Sequence, residues 1–219
     1  MLIRLALLTL ATVVMSTTAD AGTILAFSQN GTANTSVFTA NGAGTSTTIA
    51  DTNVAVTISA IADAMIVPFN AEFNLSAHST SPVSTVLGVS QHFSGTFSFT
   101  SGINGTGTNY LSGSFVDVLL GNNGGTFLLL GASTPPSTDV LLTSDVIAPA
   151  LLGEPRSLAL AFTAVTPTVA VDNQTLASAT ASVSGNLSAV AVPEPSTIAL
   201  ALTGLGTLGL IVARRRKAA

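Results

Sequence analysis

Apolar and polar residues alternate one for one through much of this chain. Val54, Val56, Ile58 and Ala60 alternate with Ala55, Thr57, Ser59 and Ile61; Phe73, Leu75 and Ala77 alternate with Glu72, Asn74, Ser76 and His78. Phe93, Gly95, Phe97 and Phe99 share one face against His92, Ser94, Thr96 and Ser98, and Leu111, Gly113, Phe115 and Asp117 oppose Ser112, Ser114, Val116 and Val118. Later, Leu158, Leu160 and Phe162 share a face, and then Ala177, Ala179, Ala181, Val183 and Leu187 do. Period-two alternation between turn residues is the signature of strands with one buried face. Turns are predicted at Asn41-Gly42, Gly102 to Gly107, Gly121 to Gly125 and Thr134 to Ser137, with a short helical turn near Pro149 to Gly153. Many short antiparallel strands of this kind predict an all-β body, a single antiparallel β-sandwich of jelly-roll-like type.

A five-residue echo runs through the strands: Phe93-Ser94-Gly95-Thr96-Phe97, Leu111-Ser112-Gly113-Ser114-Phe115 and Val183-Ser184-Gly185-Asn186-Leu187. It reads either as a ligand-facing strip or as glycine placed where strands bend or backbones approach closely, and the second reading is favoured. The spacing is not constant, so this is no solenoid repeat.

Both ends break the alternation. Arg4 precedes an apolar stretch from Leu5 to Val14, and Ala19-Asp20-Ala21 then supplies small residues in an A-x-A arrangement. This is the layout of a signal peptide over 1–21, cut after Ala21 to leave Gly22 as the mature N-terminus. At the other end, Val192-Pro193-Glu194-Pro195-Ser196 is followed by an apolar run from Thr197 to Ala213 and then by Arg214, Arg215, Arg216 and Lys217. The two prolines keep their neighbours extended. The apolar run is about 17 residues, at the lower end of the roughly 17–25 that cross a bilayer as a helix. The four cations would hold its end on the cytoplasmic side. Within the run, Gly204-Leu205-Gly206-Thr207-Leu208-Gly209 spells a dinucleotide fingerprint, but no strand precedes it and no acidic residue follows at the required distance.

The three-part order of 192–217 resembles the PEP-CTERM protein-sorting signal, also known as the ice-binding-protein C-terminal motif. The resemblance implies a bacterial substrate of an exosortase, a membrane transpeptidase-like enzyme that recognises the tail and cleaves near Pro-Glu-Pro. It implies processing of this chain and no activity in it. A plain C-terminal anchor that is never processed is the alternative. The expected organisation is therefore a signal peptide over 1–21, an extracytoplasmic all-β domain over 22–191, and a sorting tail with a transmembrane helix over 192–217.

Charge narrows the body further. Only 7% of residues are charged, and between Gly22 and Val192 the one cation is Arg156. Nucleic-acid binding requires clustered Lys and Arg to neutralise phosphates, and is excluded. The chain has no cysteine, so an oxidising compartment offers it no disulfide.

Residues able to carry chemistry are few. His78 and His92 are the only histidines, and neither stands in a spaced cluster with Asp or Glu as zinc sites require. Gly88-Val89-Ser90-Gln91-His92 misses the G-x-S-x-G nucleophile motif at its last residue. Asp51-Thr52-Asn53, Asp63 and Asp117 carry hard oxygen ligands that suit calcium, yet no Asp-rich loop repeats. No catalytic residue, metal site or cofactor is assigned. Threonine-rich stretches such as Thr45 to Thr48 do not recur regularly, and an ice-binding reading is rejected.

The expectation is a non-enzymatic exported protein of the cell surface or extracellular matrix, held in the membrane by its C-terminal segment until processed. Its expected partners are the exosortase, the membrane and an exopolysaccharide matrix. A carbohydrate- or calcium-binding adhesion module with the same anchor is the alternative.

Overall fold

The computed structural model describes residues 21–40, 46–63, 67–86, 88–123, 126–134, 138–168, 170–172 and 174–190, the side chains of 122 and 123 excepted. The leader up to Asp20 and the tail from Ala191 lie outside them. The strands are β1 (Gly22–Gln29), β2 (Ser36–Ala40), β3 (Thr47–Ile61), β4 (Phe69–Ser79), β5 (Ser90–Thr100), β6 (Asn109–Asn123), β7 (Thr126–Ser133), β8 (Val140–Thr143), β9 (Gly153–Thr166), β10 (Val171–Asp172), β11 (Thr175–Leu176) and β12 (Ala179–Val190). Ten of them form one sheet, and β10 and β11 pair separately.

That sheet closes. Neighbours follow the order β3, β4, β5, β6, β7, β9, β12, β1, and β1 pairs back onto β3, so eight antiparallel staves make a barrel. The expected β-sandwich is thus corrected to a closed barrel. Alternation is common to both folds, because each buries one face of every strand. The deciding feature is that β1 pairs on both sides, with β12 through Gly22↔Ala189 to Ser28↔Ser184 and with β3 through Leu25↔Ile61 to Gln29↔Val56. Closure removes the free edges that a sandwich leaves exposed.

Two staves are broken, and side chains mend the breaks. β1 hands over to β2, which runs the same way and pairs with the other halves of β3 and β12. In the gap, Val183 N–H donates to Gln29 Oε1 (3.0 Å), and Asn34 Nδ2 donates to Ala164 O (2.6 Å). Likewise β7 hands over to β8, which pairs with β6 alone. There Arg156 donates from Nη1 to Val140 O (3.1 Å) and from Nε to Leu152 O (2.8 Å), while Glu154 pairs with Nη1 (3.2 Å). Unpaired backbone groups away from water are costly, which is why polar side chains fill these positions.

The barrel interior is packed with phenylalanine and aliphatic side chains. Phe27, Phe73 and Phe99 meet with ring centroids 4.6–5.1 Å apart, and Phe38 contacts Phe127 at 5.6 Å and Phe162 at 5.2 Å. Each such buried ring contributes about 1.5–3 kcal/mol of transfer free energy. Three of the echoed glycines show why they are glycine. A Cβ on Gly95 would lie 2.3 Å from Ser76 O, one on Gly113 2.2 Å from Leu141 O, and one on Gly185 2.7 Å from Ala159 O. These are close approaches of neighbouring strands, in keeping with the second reading of the echo.

One expected face is overturned. Asp117 was placed by alternation on the apolar side with Val118 opposite, but Val118 is buried and Asp117 is exposed. Asp117 adopts φ +55° and inserts an extra residue into β6, a bulge that shifts the phase of everything after it. The short turn near Pro149 is a 3-10 turn over Pro149–Leu151, and β6 runs through Gly121, which was expected in a turn.

Candidate functional site

The strand pairing fixes where the two ends of the body emerge. β1 starts at Gly22 opposite Ala189, and β12 finishes at Val190 opposite Gly153 of β9. Both ends therefore leave one rim of the barrel, which also carries the connections β3–β4, β5–β6 and β8–β9. On this rim Ala148 N–H donates to Asp63 Oδ2 (3.3 Å) and Asn109 N–H to Asp145 Oδ2 (2.9 Å). Asp63 is thereby engaged in tying two rim loops together. Ile103, at 59% exposure, stands on the same rim.

Of the expected signal-cleavage residues, Ala21 and Gly22 are described, and Gly22 is the exposed first residue of β1; Ala19 lies outside the described residues. The sorting residues Val192, Pro193, Glu194, Pro195 and Ser196 and the basic residues Arg214, Arg215, Arg216 and Lys217 lie outside them as well. In the sequence, Val192 stands two positions after Val190, the last residue of β12. Six residues, Ala191 to Ser196, separate β12 from the apolar run. Fully extended, that linker reaches about 20 Å. Among the described residues no helix is long and apolar enough to cross a membrane.

The other candidate residues are scattered. His92 Nδ1 lies 3.0 Å from Asp117 Oδ1, an exposed pair toward the opposite rim, and Thr80 Oγ1 reaches the same oxygen at 3.4 Å. His78 is on β4, opposite Ser94 of β5 and Thr48 of β3. Asp51 is not a surface ligand. It is 2% exposed at the bulge where β3 shifts register between Asp51 and Val54. Ser36 Oγ donates to its Oδ1 (2.7 Å), Oδ2 has no partner, and burial pushes its pKa up to about 6 against the weaker lowering by Ser36. Asp51, Asp63 and Asp117 are thus in three different places. No three His, Cys, Asp or Glu side chains among the described residues come together to hold a metal ion.

The described residues define a class: a closed antiparallel barrel, packed inside, with both chain ends leaving by one rim. The segment that follows carries a recognised motif. Residues 191–217 match the model of the PEP-CTERM protein-sorting motif, so the chain carries that motif directly after its last strand. The motif supports exosortase-dependent sorting of an exported protein to the cell surface. No curated protein and no solved structure matches the chain.

Proposed function

We propose that this chain is an exported bacterial protein whose non-enzymatic barrel is delivered to the cell surface or extracellular matrix by exosortase processing of its tail. The observation that carries the reading is the sorting motif at 191–217, joined without a gap to β12. In this reading the leader is removed at Ala21-Gly22, the barrel closes outside the cytoplasm, and the 197–213 helix holds its end-bearing rim within about 20 Å of the bilayer. The exosortase works in that gap on the extended Pro193-Glu194-Pro195 strip, and the Arg214–Lys217 cluster sets orientation. Glu194 is the only charge in the strip, so it is the group a cationic recognition pocket selects.

The two jobs of the tail separate experimentally. Glu194→Ala is expected to leave membrane insertion intact and to block trimming in an exosortase-containing host, read by cell fractionation and product size. Neutralising Arg214 to Lys217 is expected to disturb retention and orientation instead. If Glu194→Ala is trimmed like the parent chain, the segment is a plain anchor.

A further inference from the structure

The outer wall of the barrel over β3–β6 and β8 carries an open groove of about 720 Å³. Its floor is built by register. Thr52 flanks the β3 bulge, and next to it Asn74, Ser98, Ser112 and Thr143 line up across four neighbouring strands through the pairs Asn74↔Ser98, Ser98↔Ser112 and Ser112↔Thr143. A second row, Ser76, Thr96 and Ser114, runs beside it through Ser76↔Thr96 and Thr96↔Ser114. Gly113, where the strands approach closely, lies in the lining between Ser112 and Ser114.

Hydroxyls alternate in the lining with apolar groups, the exposed Leu141 foremost among them. The one ionisable side chain of the lining is Asp51, which is buried. Among the described residues the Thr52, Ser76, Thr96, Ser98 and Ser114 hydroxyls bond no other group, whereas Ser112 is shared with Thr143 (2.9 Å) and Asn109 (2.9 Å). Asn53 N–H donates to Asn74 Oδ1 (2.9 Å), which fixes the carboxamide and leaves Asn74 Nδ2 without a partner. A groove of this kind offers several hydroxyls that both donate and accept, and no exposed charge. Ionic ligands find no counter-charge in it. The central strands β4, β5 and β6 are paired on both sides, so an extended peptide finds a backbone edge only at β8, on the margin of the groove.

The geometry points to a neutral glycan chain as the ligand of this groove, laid across the strands with its hydroxyls meeting the Ser and Thr rows. Strands are about 4.8 Å apart, close to the length of one sugar ring, so successive rings meet successive strands. The groove is open and lacks aromatic platforms on its rows, which suits weak binding repeated along a polymer. The inference concerns the barrel wall and does not depend on how the tail is processed.

The test uses the exported full chain in mild detergent, with dextran and a soluble β-glucan as neutral probes and alginate as a polyanion, followed by affinity electrophoresis and titration calorimetry. At least one neutral glucan is expected to bind and alginate not to. The double variant Thr96→Val, Ser98→Val removes two hydroxyls that hold no protein partner, keeps β-branched or strand-compatible side chains, and is expected to weaken glucan binding at least tenfold with an unchanged circular-dichroism spectrum. The control Ser28→Val, Ser184→Val alters the facing pair of β1 and β12 and is expected to leave binding unchanged. Absence of binding to both glucans, equal binding of alginate, or equal losses in variant and control would each overturn the proposal.

Discussion

Replacing Asp51 with Asn isolates the cost of a carboxylate enclosed in the barrel wall. Asp51 is 2% exposed, one oxygen accepts from Ser36, and the other has no partner. Desolvation outweighs the Ser36 bond and moves the pKa from 3.8 to about 6. The folded barrel thus holds this proton more tightly than the unfolded chain does. Stability is at its full value below about pH 4, falls as pH rises toward about 6, and stays at the lower value above it. The shift is about two pKa units, and at 1.36 kcal/mol per unit the penalty at neutral pH is about 3 kcal/mol. An Asn keeps the acceptor for Ser36 and removes the charge, but places an amide donor where no partner waits, at a cost of about 1–2 kcal/mol. Asp51→Asn is therefore expected to stabilise the barrel by about 1–2 kcal/mol at pH 7 and to be neutral or destabilising at pH 4. Urea unfolding of the full chain in mild detergent, followed by circular dichroism across this range, gives the difference. A parent-minus-variant difference that does not change between about pH 4 and 7 would refute the reasoning.

Two further substitutions probe how the barrel is held together. Arg156→Ala removes the bonds to Val140 O and Leu152 O and leaves Glu154 unpaired at the β7–β8 break; a loss of about 2–3 kcal/mol is expected in urea unfolding, with Arg156→Lys recovering part of it. Gly113→Ala places a Cβ 2.2 Å from Leu141 O and 2.9 Å from the Phe97 ring. It is expected to cost about 1–3 kcal/mol as β8 is pushed from β6, whereas Gly121→Ala, with nothing within 4 Å of its Cβ, is expected to be neutral or slightly stabilising.

Much of the barrel was legible because a strand with one wet face must alternate. Val54 to Ile58, Phe73 to Ala77 and Phe93 to Phe99 read directly as the inner faces of β3, β4 and β5. Closure was not legible, since period two records which face is buried and carries no information about which strands meet at the ends. It rests on the pairing of β1 with both β3 and β12, a contact between the two ends of the body. β7 escaped notice for a different reason. Phe127 and Leu129 point inward, but Leu130 is 50% exposed and pairs with Leu119 at 41%, so neither face is polar enough to show a period. The bulge at Asp117 was not legible, because a positive φ at a single residue leaves no mark in apolar spacing. The sorting residues were legible as an ordered motif, since proline, apolar length and terminal charge each carry their physics locally. The Ser and Thr rows of the groove were hidden, because only the register across β3–β6 and β8 brings them together.

The central claim is that the tail is a processing signal joined to a folded exported body. The direct measurement is the intact mass of the protein recovered from the cell surface or medium of a host with its exosortase, compared with the same host lacking the enzyme. The expected mass with the enzyme is that of a chain beginning at Gly22 and ending near Pro193 to Pro195, with any added attachment group at that new end, and the apolar run and terminal cations are retained when the enzyme is absent. Identical masses in the two hosts, each extending to Ala219, would contradict the account.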